Sequence, residues 1–246
     1  MGQEAQWITA RDYDQSQTTH MLPYLYDALR PLRGQPMRRL LDVGCGFGGL
    51  TRLVAEHLGI AQAHGVDVDS GVLEEARSKG VLTEHLDIRE DKLPFPEGSF
   101  DLVMSFGVLD YLPDLDPILR EVHRVLRPGG YALISLPNLA GWQNRLFLLF
   151  GYQLRDVEVS REKVVGVHPW YTGDSRPVGH IHTVTAPAFR ELMEHHGFDT
   201  VRVTAGVPGG RRKGSLISWI DRLLSRRVGL ARRFFYLGQR ATRVRL

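Results

Sequence analysis

A short apolar segment, Arg39 to Val43, runs directly into Gly44-Cys45-Gly46-Phe47-Gly48-Gly49, after which Leu50, Leu53, Val54 and Leu58 recur at helical spacing. That order reads as strand, glycine turn, helix. Glycines at such a turn let the backbone come close to a ligand, because a Cβ there would collide, and they accept positive φ. The helix N-terminus behind them favours negative charge. Gly44, Gly46 and Gly49 also meet the G-x-G-x-x-G spacing, so the loop alone serves a dinucleotide as readily as another cofactor.

The same rhythm continues down the chain. Ala63 to Val68 reads as a strand, Val72 to Lys79 as a helix and Val81 to Asp87 as a strand ending in an acid. Phe100 to Ser105 reads as a fourth strand, Ile118 to Leu126 as a helix stopped by Arg127-Pro128-Gly129-Gly130, and Tyr131 to Leu136 as a fifth strand. Strands alternating with helices imply a doubly wound α/β architecture with a mostly parallel sheet, since parallel neighbours need helical crossovers. After Pro137 the pattern breaks into a proline-, glycine- and histidine-containing stretch that reads as an insertion. A helix at Ala186 to His196, a strand at Thr200 to Thr204, a helix from about Ser215 to Arg226 and a strand at Arg233 to Leu237 follow. With 246 residues, one domain is expected over 1–246. Its parts are an N-terminal lid segment (1–30), a cofactor-binding core (31–137), a substrate-side insertion (138–184) and a C-terminal part (185–246).

Three acids narrow the cofactor. Asp42 precedes the glycines, where a carboxylate can organise the loop and reach the ammonium of a bound amino acid through water. Asp67 closes the second strand at the place where ribose hydroxyls are accepted. Asp87 closes the third, where a carboxylate followed by the Ile88 amide can read an adenine edge. A dinucleotide presents no ammonium beside the first strand, so the set favours S-adenosylmethionine.

Five ordered segments carry a resemblance. They are Leu41 to Gly48; Gly65-Val66-Asp67-Val68-Asp69; Leu86-Asp87-Ile88 with Leu93-Pro94-Phe95-Pro96; Phe100 to Ser105; and Leu126-Arg127-Pro128-Gly129-Gly130. In this order they resemble class I, Rossmann-like S-adenosylmethionine-dependent methyltransferases of the type 11 group. Ser135 to Leu146, Trp170-Tyr171, and His182 ahead of Phe189-Arg190-Glu191-Leu192 further resemble the MetW-like group; the stretch from Asp156 to Asp174 and the basic tail depart from it. The resemblance implies a seven-stranded Rossmann-like sheet with an antiparallel last strand and a lid-like insertion. It also implies S-adenosyl-L-methionine held by Asp42, Gly44, Cys45, Gly46, Gly48, Asp67, Val68, Asp87, Ile88, Ser105 and Phe106. The MetW-like group admits a second role, a cofactor-binding partner or regulator of a biosynthetic acyltransferase.

Methyl transfer from a sulfonium is an in-line displacement, so alignment and exclusion of water matter more than a nucleophilic side chain. A base is needed only when the acceptor must lose a proton. His168, His180 and Tyr111 are the catalytic candidates, with Trp170, Tyr171 and Asp174 as pocket walls, and Arg11 and Tyr13 placed to close over the cofactor carboxylate. His182 reads either as a base or as a structural hydrogen-bonder. Cys45 reads as a small residue beside the cofactor rather than a reactive thiol, and Asp69 and Glu74 as helix N-terminal charges. His180-x-His182 offers two ligands and no third, so no metal is expected.

The formal charge of +3 conceals an asymmetry: residues 207–246 hold eleven Lys/Arg and one acid, Asp221. Leu216, Ile217, Ile220, Leu223 and Leu224 share one helical face, with Ser218, Asp221, Arg222 and Ser225 opposite. Peripheral membrane contact through 211–233 is one expectation, and packing on the domain is the other. A small-molecule acceptor, anionic or lipid-linked, fits this charge, whereas the aromatic and basic interleaving of nucleic-acid binders is absent. The longest apolar run, Leu146 to Phe150, is far short of the roughly 20 residues a membrane span needs. With no signal pattern, a cytoplasmic location is expected, including the inner membrane face.

Overall fold

The computed structural model describes residues 21–168, 177, 179–206, 216–224 and 226–242. The strands are β1 (Arg39–Val43), β2 (Gln62–Asp67), β3 (Leu82–His85), β4 (Phe100–Phe106), β5 (Leu126–Pro137), β6 (Phe198–Gly206) and β7 (Arg233–Arg240). Among the described residues these seven form one sheet in the order β3-β2-β1-β4-β5-β7-β6. β1 to β5 pair in parallel, and β7 lies antiparallel between β5 and β6. The helices are α1 (residues 21–29), α2 (Gly49–Leu58), α3 (Ser70–Ser78), α4 (Asp116–Val125), α5 (Trp142–Leu149), α6 (Ala186–His195) and α7 (Leu216–Leu224).

Side chains alternate along a strand, and here each alternation feeds a different core. Leu41, Val103, Phe234 and Tyr236 join Ile118, Leu119 and Val122 of α4 and Phe189 and Met193 of α6. Leu40, Leu102, Phe235 and Leu237 join Leu25 and Leu29 of α1 and Val54 of α2. Both sheet faces are therefore covered, which explains why the strands read as nearly continuous apolar runs.

Four sequence expectations change. The described part of the N-terminal segment is a core helix rather than a lid, because Met21, Leu25, Ala28 and Leu29 are buried against the sheet. Burial of each large side chain there is worth roughly 1.5–3 kcal/mol. β3 is shorter than expected and stops at His85, leaving Asp87 in the turn beyond it. β5 starts at Leu126 and carries Arg127-Pro128-Gly129-Gly130 as an irregularity: its register with β4 jumps from Phe100–Leu126 to Leu102–Tyr131. The insertion contains α5, whose start is fixed by the Trp142 N–H donating to Leu230 O (2.9 Å).

Candidate functional site

The glycine loop is fastened from β2. The Gly44 and Cys45 N–H groups both donate to Val66 O (2.8 and 3.1 Å), and the Gly46 N–H donates to Asp67 Oδ2 (2.9 Å). Asp67 Oδ1 accepts from the Asp69 N–H (3.0 Å), so the carboxylate is aimed by two backbone donors and keeps lone pairs for further ones. Gly44 has φ +80°, and a Cβ there would lie 2.2 Å from Val108 Cγ2. Gly46 has φ +50° and meets nothing within 4 Å of the same position. The loop thus has a closed side, packed on the segment after β4, and an open side.

Asp42 is buried, and Thr51 Oγ1 on α2 donates to its Oδ2 (2.6 Å). Burial pushes its carboxyl up to about 7, against the Thr51 hydrogen bond, which lowers it, and with the nearby Asp67 raising it further. Its contact is with the helix rather than the open side, which is the loop-organising half of its expected role. Cys45 is buried beside Gly65, whose added Cβ would fall 2.5 Å from Sγ; burial raises the thiol, as do Asp42 and Asp67, so it stays protonated. Ser105 Oγ donates to Val43 O (2.9 Å), tying β4 to β1. Val68 is 55% exposed at the end of β2, an apolar surface next to Asp67. Phe106 packs on Phe235 (5.8 Å between ring centroids).

Asp87 departs from its expected geometry. Its carboxylate is forked by the Arg89 guanidinium and accepts the Arg89 N–H (3.0 Å), so Arg89 holds it below the usual carboxylate range. The Ile88 side chain packs against the core. Asp69 caps α3, accepting from the Gly71 N–H (2.8 Å), as its helix-terminal reading required.

The closed side leads from Val108 into a 3-10 turn, Leu109–Tyr111, and to a group that sequence reasoning named only in part. Asp110 is buried, and His180 Nε2 lies 3.0 Å from its Oδ2 while Nδ1 lies 3.8 Å from Asp156 Oδ1. The Ile181 and His182 N–H groups donate to Asp110 O (2.7 and 3.0 Å), and the Tyr111 and His180 rings are 5.0 Å apart. Burial alone would disfavour the charged imidazole, but Asp110 and then Asp156 outweigh it, and the His180 pKa is raised. Tyr111 and His180 are therefore brought together. His168 has other neighbours: it stacks on Phe147 (5.2 Å) and meets Tyr152 edge-on (4.6 Å). His182 Nε2 contacts Pro113 O (2.8 Å), the structural hydrogen bond of its second reading. Arg11, Tyr13, Trp170, Tyr171 and Asp174 lie outside the described residues.

Asp110 and Asn138 are the residues the motifs did not single out. Asn138 is buried; its Nδ2 donates to Val228 O and Ala231 O (3.1 and 2.8 Å) and its Oδ1 accepts the Ala140 N–H (3.1 Å). It bridges Val184 in parallel, so the two ends of the insertion meet at the sheet edge. No group of three or more potential metal ligands occurs among the described residues.

A sheet of this order with an antiparallel seventh strand, and a glycine loop steered by the acid that closes β2, define a class I Rossmann-like methyltransferase domain. Residues 41–134 match the family model described as Methyltransferase domain, of the type 11 methyltransferase group. It is 32% identical to demethylmenaquinone methyltransferase of Listeria monocytogenes over 51% of this chain and 57% of that protein. It is 28% identical to fusarielin synthase FSL1 of Gibberella zeae over 82% of this chain and 8% of that protein. The chain thus spans less than two thirds of the length of these curated relatives. Among solved structures it is similar to an S-adenosylmethionine-dependent methyltransferase from Mesorhizobium loti, with TM-score 0.59, 22% identity, and 89% of this chain and 96% of that one covered. A methyltransferase in complex with the Trm112 methyltransferase activator from Haloferax volcanii gives TM-score 0.63, 17% identity and 93% coverage of both chains.

Proposed function

We propose that the chain binds S-adenosyl-L-methionine and transfers its methyl group to a small-molecule acceptor, with O- or N-methylation favoured. The observation that carries this reading is the Gly46 N–H on Asp67 Oδ2 together with the open space at Gly46. A nucleoside can enter there while the Asp67 carboxylate, already aligned, accepts its ribose hydroxyls. Val68 offers apolar surface beside it, and Asp42 keeps the loop in shape through Thr51. The cofactor supplies an electrophilic methyl on a sulfonium.

On the acceptor side the chain's contribution is positional. His180 is held between Asp110 and Asp156, which raise its pKa against the effect of burial, and this cluster is the chain's contribution beside the acceptor. Tyr111 stands beside it, and His168, set among Phe147 and Tyr152, contributes a wall. The relatives' names span demethylmenaquinone and phosphoethanolamine, so the shared segment goes with unlike acceptors. The excess of basic residues over 207–246 supports an anionic or lipid-linked acceptor met in the cytoplasm or at the inner membrane face.

Calorimetry with S-adenosylmethionine tests the reading: the parent chain should bind, and Asp67→Ala should weaken binding at least about tenfold through lost charge-assisted hydrogen bonds. No binding by the parent, or equal binding by D67A, overturns it. Binding without turnover on any acceptor would favour the partner or regulator role.

A further inference from the structure

α7 is fixed to the domain by its acid. Asp221 is buried, with Oδ1 accepting from Trp142 Nε1 (2.7 Å) and Oδ2 lying 3.2 Å from Arg232. At about 100° per residue, positions 219 and 223 stand roughly 160° either side of position 221 around the helix. With Asp221 inward, Trp219 and Leu223 face outward, and they are 59% and 43% exposed. This reverses the sequence expectation, in which Asp221 shared the solvated face, and it leaves part of the apolar side of the helix outside.

α5, which supplies Trp142, ends in a second apolar exposure: Leu148, Leu149 and Phe150 are 58, 77 and 67% exposed. Single apolar side chains in water are common, but three in succession, on an element tied to a helix that presents Trp219 and Leu223, are not. Charge points to the occupant. Arg226 and Arg227 are exposed immediately beyond α7. Residues 207–246 hold one acid, Asp221, and it is buried, so no acidic side chain of that segment offsets Arg226 and Arg227 at the surface.

We infer that Trp219 and Leu223 of α7, with Leu148 to Phe150 at the end of α5 and the flanking Arg226 and Arg227, form a face that docks on an anionic lipid bilayer. Apolar and aromatic side chains enter the interfacial layer while arginines meet the headgroups. Contact is interfacial: no helix among the described residues is long and apolar enough to cross a membrane. The inference stands apart from methyl transfer, since it uses none of the cofactor-side residues.

Flotation with phosphatidylcholine vesicles, with and without phosphatidylserine, tests it on the full chain. Binding is expected only with phosphatidylserine and should fall as salt rises. R226Q/R227Q should weaken it roughly twenty-five-fold, from about fivefold per arginine. W219S/L223S and L149S/F150S should each weaken it at least about tenfold. An unchanged thermal midpoint in each variant controls for folding independently of any cofactor. Equal binding to both vesicle types, no binding, or indifference to any of the three variants overturns the face. Sedimentation that finds a dimer dissolved by W219S/L223S would overturn it in favour of a second copy of the chain.

Discussion

At Gly44 two constraints meet in one residue: φ of +80° and Val108 Cγ2 at 2.2 Å from where a Cβ would stand. Gly44→Ala should cost about 1 kcal/mol in backbone strain and a further 1–3 kcal/mol, roughly, in overpacking. Adding Val108→Ala should return part of the overpacking and none of the strain, which denaturant unfolding of the two variants separates. Asp42 carries a pH signature. Its folded pKa of about 7 lies above the ordinary 3.8, so between those values the native state holds a proton that the unfolded chain has lost. Stability therefore falls as pH rises through that window, and Asp42→Asn should flatten this part of the dependence; urea midpoints at about pH 5 and about pH 8 check it. Gly44, Asp42 and Asp67 were legible because their chemistry is set by neighbours in one strand-turn-helix unit. Asp110 and Asn138 were not: Asn138 bonds Ala231, 93 positions away, and nothing in its local pattern marks it.

Element by element, the sequence marks those that bury a regular apolar stripe and misleads where a polar residue decides. α4 and α6 follow their spacing because Ile118, Leu119 and Val122, and Phe189 and Met193, pack on one sheet face. α7 is the opposite case, since a helical wheel ranks Asp221 by its charge and cannot see Trp142, 79 positions earlier, offering its Nε1–H. Asp221→Ala leaves that donor and the Arg232 guanidinium without their acceptor and should cost about 3 kcal/mol. Trp142→Phe removes one hydrogen bond and should cost about 1 kcal/mol. Thermal or denaturant unfolding gives both numbers, and a D221A value near zero would mean that α7 is held by something else. β5 illustrates a milder miss: Arg127-Pro128-Gly129-Gly130 is turn chemistry, yet the chain absorbs it as a register shift against β4 and keeps the strand going.

Across the whole molecule, the alternation of strands and helices was enough to expect the parallel half of the sheet. The antiparallel sense of β7 came through resemblance rather than pattern, and its position between β5 and β6 came only with the fold, because pairing order is a long-range property. The described N-terminal residues likewise read as part of a lid until α1 is seen against the sheet. The same global view explains why the insertion can be irregular without loosening the domain. Asn138 and Val184 stand side by side, and Asn138 is clamped to residues 228–231, so the excursion leaves and rejoins the sheet through a fixed doorway. Lengthening a flexible segment between fixed ends costs only about 0.6 kcal/mol per doubling. The doorway therefore uncouples length from position: residues can be added between 139 and 183 without displacing the strands or the glycine loop, provided that Trp142 and His180 keep their contacts to Asp221 and Asp110.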